Sequence, residues 1–316
     1  MRRAALLICS ALVLAGCATP HHRGHLTLTK EAARSSEVAA VLQRYREVRN
    51  TAITLLDPKP LSIVESGSVL NIDSGSFEVS QLLARKQKQD KSTVDLTDVL
   101  TPRFTSYPLW FVAETRDRAL GVNRIQVFQR DSAVDPWLLV ASPETLSTTS
   151  LPELRSVSGS VVTVKAGDDV GMSMSPQAAA ASYAKALADP ASADADKVVA
   201  DSFIKQMRSA ATKNAALQGV TFSQSWATKK VHYALRTSDG GALAFVTLVR
   251  RDTYKVKPGL TITWPKGTPQ EAFLSAGISG SGTLNYDHQV LLYIPGSGAK
   301  PRAIGQYGGV IGAEGN

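Results

Sequence analysis

The chain has 316 residues, of which 43% are hydrophobic and 20% charged, with a formal net charge of +8. That balance belongs to a folded protein and excludes both a disordered polyelectrolyte and a multi-span membrane protein. Cys9 and Cys17 are the only cysteines, so the chain after residue 17 has no disulfide, no thiol nucleophile and no cysteine-based zinc site.

The first sixteen residues begin with Arg2 and Arg3 and continue in an apolar run from Ala4 to Gly16. The run falls short of the ~20 residues a membrane-crossing helix needs, and it reads as a removable signal peptide. Leu14-Ala15-Gly16-Cys17 resembles a bacterial lipobox. The resemblance implies cleavage after Gly16 and acylation of the Cys17 sulfur. The protein would then be held to the membrane by its lipid, on the extracytoplasmic face of the cell membrane. Loss of Arg2 and Arg3 lowers the charge from +8 to +6.

Residues 17–30 are expected to be the lipidated N-terminus and a tether. His21, His22 and His25 lie there, but without helical i, i+4 spacing or nearby carboxylates they predict no metal site.

A helix is predicted over Glu31 to Asn50, where Val38, Val41, Leu42, Tyr45 and Val48 share one face. Pro58 ends it, Leu61 to Glu65 forms a helical turn, and a second helix is expected from Ser76 to Lys88. The period then changes to that of strands at Thr93–Leu100, Tyr107–Glu114, Arg124–Arg130 and Trp137–Ala141. These elements make a first α+β domain over residues 31–142. Residues 143–174 are rich in Ser, Thr, Pro and Gly and read as a linker with one strand-like island, Ser160 to Lys165.

A second α+β domain spans residues 175–316. It opens on a helix with Ser175 as N-cap and Pro176 at its first position. A further helix is predicted from Ala195 to Ala216, with Val198, Val199, Phe203 and Met207 facing inward. Strands follow at Val220–Trp226, Lys230–Thr237, Ala242–Thr253, Leu260–Trp264, Thr283–Ile294 and Ala303–Ile311. Both halves run from helices into an antiparallel meander, and both carry a hairpin ending in Arg-Asp, at Arg130-Asp131 and Arg251-Asp252. The order suggests an internal duplication of units with helices packed on a curved antiparallel sheet. It resembles the cystatin-like or nuclear-transport-factor-like architecture.

Motifs for chemistry are few. Ser-x-x-Lys occurs at Ser182/Lys185, Ser202/Lys205 and Ser297/Lys300. The partner motifs of penicillin-binding enzymes are missing. There is no Gly-x-Ser-x-Gly elbow and no phosphate-binding or dinucleotide-binding glycine pattern, so no cofactor is predicted. His288 follows Asp287, and neighbours on a strand point to opposite faces, so the pair cannot act as two members of a triad. No catalytic residue emerges. Aromatics on the predicted strands, above all Trp110, Trp137, Trp226 and Tyr233, are candidates to line a ligand pocket, with membership of the core as the alternative. The basic residues are dispersed, with the densest group at Arg85-Lys86-Gln87-Lys88-Gln89-Asp90-Lys91. An exported chain with no aromatic–basic motif is not expected to bind nucleic acid.

The lipobox, AVLQRYREVRNTA, IVESGS, YPLWFVA, PWLLV, VTFSQSW, LRTSDGGALAF and DHQVLLYIP together resemble actinobacterial lipoproteins that carry a domain of unknown function. The resemblance implies localisation and fold but no activity. The expected function is a non-catalytic module of the cell envelope that binds a ligand or a protein. The alternatives are an envelope hydrolase acting on cell-wall or lipid substrates, and a structural spacer.

Overall fold

The computed structural model describes residues 29–84, 94–296 and 298–315. The expected signal peptide, Cys17 with most of the expected tether, and the basic group at residues 85–91 lie outside the described residues. The fold is α+β. Its helices are α1 (Ser35–Leu55), α2 (Gly67–Leu82), α3 (Pro176–Ala188), α4 (Ser202–Ala215) and the short α5 (Pro269–Phe273).

Ten strands form one curled antiparallel sheet. The first five are β1 (Val94–Leu100), β2 (Leu109–Asp117), β3 (Val122–Arg130), β4 (Leu138–Ala141) and β5 (Glu144–Leu146). The others are β6 (Val220–Thr228), β7 (Tyr233–Arg236), β8 (Ala242–Val256), β9 (Ser281–Ile294) and β10 (Arg302–Gly315). The spatial order is β6-β8-β9-β10-β5-β3-β2-β1, with β7 added beside β8 and β4 beside β3. The long β8–β9 hairpin runs from Ala242 opposite Ile294 to Lys255 opposite Ser281. The two halves of the sheet join where Gln306 of β10 pairs with Glu144 of β5.

Side-chain alternation sorts the strands into separate cores. Leu109, Phe111 and Ala113 face α1 and pack with Val38, Leu42 and Tyr45. Their neighbours Trp110 and Val112 turn the other way and meet Leu235, Leu243, Phe245 and Leu291 from the second half. The opposite face of β8, through Ala242, Ala244, Val246 and Leu248, is covered by α3 and α4. The curl therefore brings one face of each half against the other; α1 covers the outer face of the first half, α3 and α4 that of the second, and α2 lies across β9, β10 and β4. Residues 143–174 follow this core closely, with Arg155 N–H donating to the Arg236 carbonyl at 2.9 Å and Val164 N–H to the Ala234 carbonyl at 2.9 Å.

Several element boundaries differ from the sequence reading, each for a local reason. Lys30–Glu31 pairs as a short strand with Arg103–Phe104, which delays α1 to Ser35. Helix α2 begins nine residues earlier than expected, because its buried face includes Ser68, Asp73, Gly75 and Ser80 as well as Val69, Ile72 and Phe77. A face so mixed has no apolar stripe to read. The helix predicted over Ala195 to Ala216 is broken. Val198 is extended, and Asp201 restarts the chain as α4 by accepting the Ile204 N–H at 3.0 Å. Asp201 also accepts from the Tyr183 hydroxyl and the Ala303 N–H, tying α3, α4 and β10 together. Val198 and Phe203 are buried as expected, whereas Val199 is exposed. Leu260–Trp264 is not a strand. Turns at Pro258-Gly259 and Pro265-Lys266-Gly267 leave room only for a single bridge, Ile262 to Ile278.

Helix α2 crosses β10 at Gly75, where a side-chain carbon would overlap the carbonyl oxygen of Val310. Gly75→Ala is expected to destabilise the protein by about 1–3 kcal/mol, since backbone must move to admit the methyl group. A lowered midpoint in urea unfolding checks this; an unchanged midpoint would show that the crossing tolerates a wider spacing.

Candidate functional site

The site follows from the spacing of α1. Leu42, Tyr45, Arg46, Arg49 and Asn50 recur at intervals of three and four residues and so share one helix face. That face looks onto the sheet across a cavity of about 310 Å³. Val69 and Asp73, one turn apart on α2, form a second wall. The floor comes from alternate residues on strands, Val94 and Leu96 of β1, Arg124 and Gln126 of β3, with Thr115, Ser142, Glu144 and Tyr307 completing it. The apolar share is Ala39, Leu42, Val69, Val94 and Leu96. The remainder supplies hydrogen-bonding groups of both senses.

Two guanidinium-centred networks order the polar side. Arg49 pairs closely with Asp73 and lies 3.5 Å from Glu65. The Tyr45 hydroxyl donates to Glu65 Oε1 at 3.1 Å, and the Tyr307 hydroxyl donates to Asp73. Arg124 bridges Asp117 at 3.2 Å and Glu144 at 2.9 Å. Burial raises the Tyr45 and Tyr307 hydroxyls well above the usual phenol range, so both stay protonated as donors. For Arg49, burial opposes the charge, but the paired Asp73 carboxylate outweighs it and holds the guanidinium charged. Glu65 is pushed up to about 8, first by burial and then by the nearby Asp73 charge, and its Oε2 has no hydrogen-bond partner. A buried carboxyl in that position is held as the neutral acid at pH 7.

The aromatics singled out from the sequence lie elsewhere, and none lines this cavity. Trp110 and Tyr233 meet edge to face with ring centroids 5.5 Å apart, in the core shared by the two halves. Trp137 packs on Phe111 beneath α1 and donates its Nε1–H to Glu37 at 2.9 Å. Trp226 sits under α4 against Phe203 and donates to Gln224. Asp287 and His288 do point to opposite faces. Asp287 accepts from Asn71 at 3.0 Å, whereas His288 is enclosed by Phe203, Trp226 and Tyr286 with neither ring nitrogen hydrogen-bonded. Burial, with Arg250 nearby, lowers His288 to about 3, so it stays neutral and acts as packing.

The residues that build the cavity were not anticipated, because the pairs that define it join positions far apart in sequence. One signal was available. Asp73 shares a helix face with Val69 and Ile72, and a carboxylate on an apolar face must find a partner in the interior.

Among known proteins, the profile of a domain of unknown function, DUF8094, matches residues 27–315. An uncharacterized lipoprotein of Streptomyces avermitilis is 26% identical over 260 residues, covering 80% of this chain and 76% of the relative. A second uncharacterized lipoprotein, from Streptomyces coelicolor, is 24% identical over 276 residues, covering 84% of this chain and 82% of the relative. No solved structure matches. Among the described residues, no helix is long and apolar enough to cross a membrane.

Proposed function

The chain belongs to the DUF8094 family, and on that footing we propose that it is a lipid-anchored binding module of the cell envelope. Its tether is Cys17, on the extracytoplasmic face of the cell membrane. Its ligand is a small acidic solute bearing hydroxyl or amide groups, held in the cavity beneath α1. The lipobox and the lipoprotein relatives support the anchor.

The observation that carries the ligand reading is the division of labour among the arginines that line the cavity. Arg49 and Arg124 are committed to internal carboxylates, whereas Arg46 forms no ion pair among the described residues and stands exposed at the rim. A ligand's anionic group would meet Arg46 while its hydroxyls or amides meet Asn50, Gln126 and Ser142, and its less polar face lies on Leu42 and Val69. Both lining carboxylates, Asp73 and Glu144, are held by guanidinium groups, which favours binding over acid–base chemistry.

Thermal unfolding of the full chain with glucuronic acid, N-acetylmuramic acid and neutral N-acetylglucosamine tests this. The acidic sugars are expected to raise Tm by about 2–4 °C at ten times Kd. Arg46→Ala should abolish their advantage over the neutral sugar. No shift with either acid at saturating concentration would refute this ligand class.

A further inference from the structure

At the N-terminal end of α1, away from the cavity residues, lies a second concavity. It is a groove of about 710 Å³ whose charged lining is Lys30, Glu31, Arg34, Glu37, Arg103 and Arg130. The two acids are already engaged. Glu37 pairs with Arg130 at 3.1 Å and accepts from Trp137, and Glu31 accepts from the Thr101 hydroxyl at 3.0 Å. Lys30, Arg34 and Arg103 are exposed and form no ion pair among the described residues. Arg130 lies 4.7 Å over the Trp137 ring, and its Nε has no partner. The groove thus presents three unpaired cations and one partly satisfied guanidinium.

The position of the groove identifies what it faces. The thirteen peptide steps from Cys17 to Lys30 reach at most about 45 Å when fully extended, and Lys30 is itself part of the groove. The anchored end of the chain therefore joins the fold at its unpaired cations. We propose that this groove docks on the membrane surface and takes the phosphate headgroups of anionic phospholipids. Docking would set the orientation of the module above the bilayer. The inference rests on the Cys17 anchor proposed above and is independent of the cavity's ligand. The forces involved are screened within about 8–10 Å at physiological salt, so the groove acts only once the tether has brought it to the surface.

The test uses the full lipidated chain reconstituted into vesicles of phosphatidylcholine alone, or with about 30% phosphatidylglycerol to supply the negative surface. Hydrogen–deuterium exchange is then followed at residues 30–37 and 103–104. Those amides should exchange about threefold or more slowly on the anionic vesicles, and the difference should vanish at about 0.5 M salt. It should also vanish in the triple variant Lys30→Gln, Arg34→Gln, Arg103→Gln, whose melting curve reports that the fold is kept. Arg103 donates to the Thr29 hydroxyl and to its carbonyl, both at 2.9 Å; the pair Lys30→Gln, Arg34→Gln leaves those bonds in place and should lose part of the protection. Equal exchange on both vesicle types, or protection that survives the triple variant, would overturn the proposal. Failure of the protein to float with neutral vesicles would instead refute the lipid anchor, and the docking inference with it.

Discussion

Replacing Arg49 with methionine is expected to cost about 2–4 kcal/mol of stability, the largest loss from any single side chain around the cavity. The guanidinium is the counter-charge for Asp73 and the nearest cation to Glu65, which are 2% and 1% exposed. Breaking a buried ion pair by removing one partner costs about 3–5 kcal/mol, because the remaining charge is left without compensation. The lower range is set by Arg49 itself, whose side chain is 32% exposed and already partly screened. Asp73→Asn in the Arg49→Met background should recover part of the loss, since the stranded charge is gone while the Tyr307 hydroxyl still has an acceptor. Urea unfolding of the two single variants and the double variant at pH 7 measures the coupling. Additive effects would mean that the arginine and the aspartate do not act as a pair.

Glu65→Gln is expected to change how stability depends on pH, not merely its level. Glu65 ionises at about 8 in the fold, against an ordinary value of 4.5. The folded state thus binds a proton that the unfolded chain releases. Its contribution is fully present below about pH 4.5 and is lost as pH rises through about 8, so stability falls with rising pH across that window. Each unit is worth about 1.36 kcal/mol, and relaxation around Arg49 reduces the total to about 2–4 kcal/mol. Glutamine mimics the neutral acid, keeps an oxygen for the Tyr45 hydroxyl and cannot ionise. Unfolding free energies at pH 5, 7 and 9 should diverge, with the variant gaining on the wild type as pH rises. Parallel curves would show that Glu65 titrates normally.

Much of the fold could be read because its signals are local. Ser175 and Pro176 open α3 as read, with the Ser175 hydroxyl oxygen accepting the Ala178 N–H. The strands of both meanders follow β-branched and aromatic runs bounded by turn residues, and β2 with β3 pairs from Leu109 opposite Arg130 to Asp117 opposite Val122. Where one helix face mixes serine, aspartate and glycine with apolar residues, as in α2, periodicity gives no usable boundary. The site was hidden for a different reason, because it joins residues far apart in sequence. Arg49 lies one turn beyond Tyr45 in what reads as the polar end of an amphipathic helix. Only the sheet, which brings Arg124, Glu144 and Tyr307 beneath α1, makes it part of a cavity. The conspicuous aromatics pointed elsewhere because a large ring signals burial as strongly as it signals binding.

The most direct test of a ligand site beneath α1 is native mass spectrometry of the full chain incubated with N-acetylmuramic acid. It is run on the wild type and on Ala39→Trp, whose indole would fill the mouth from an exposed helix position. The cavity account predicts one bound acidic sugar on the wild type and none on the variant, with both chains equally folded. Equal occupancy of the two proteins, or none on either, would contradict it.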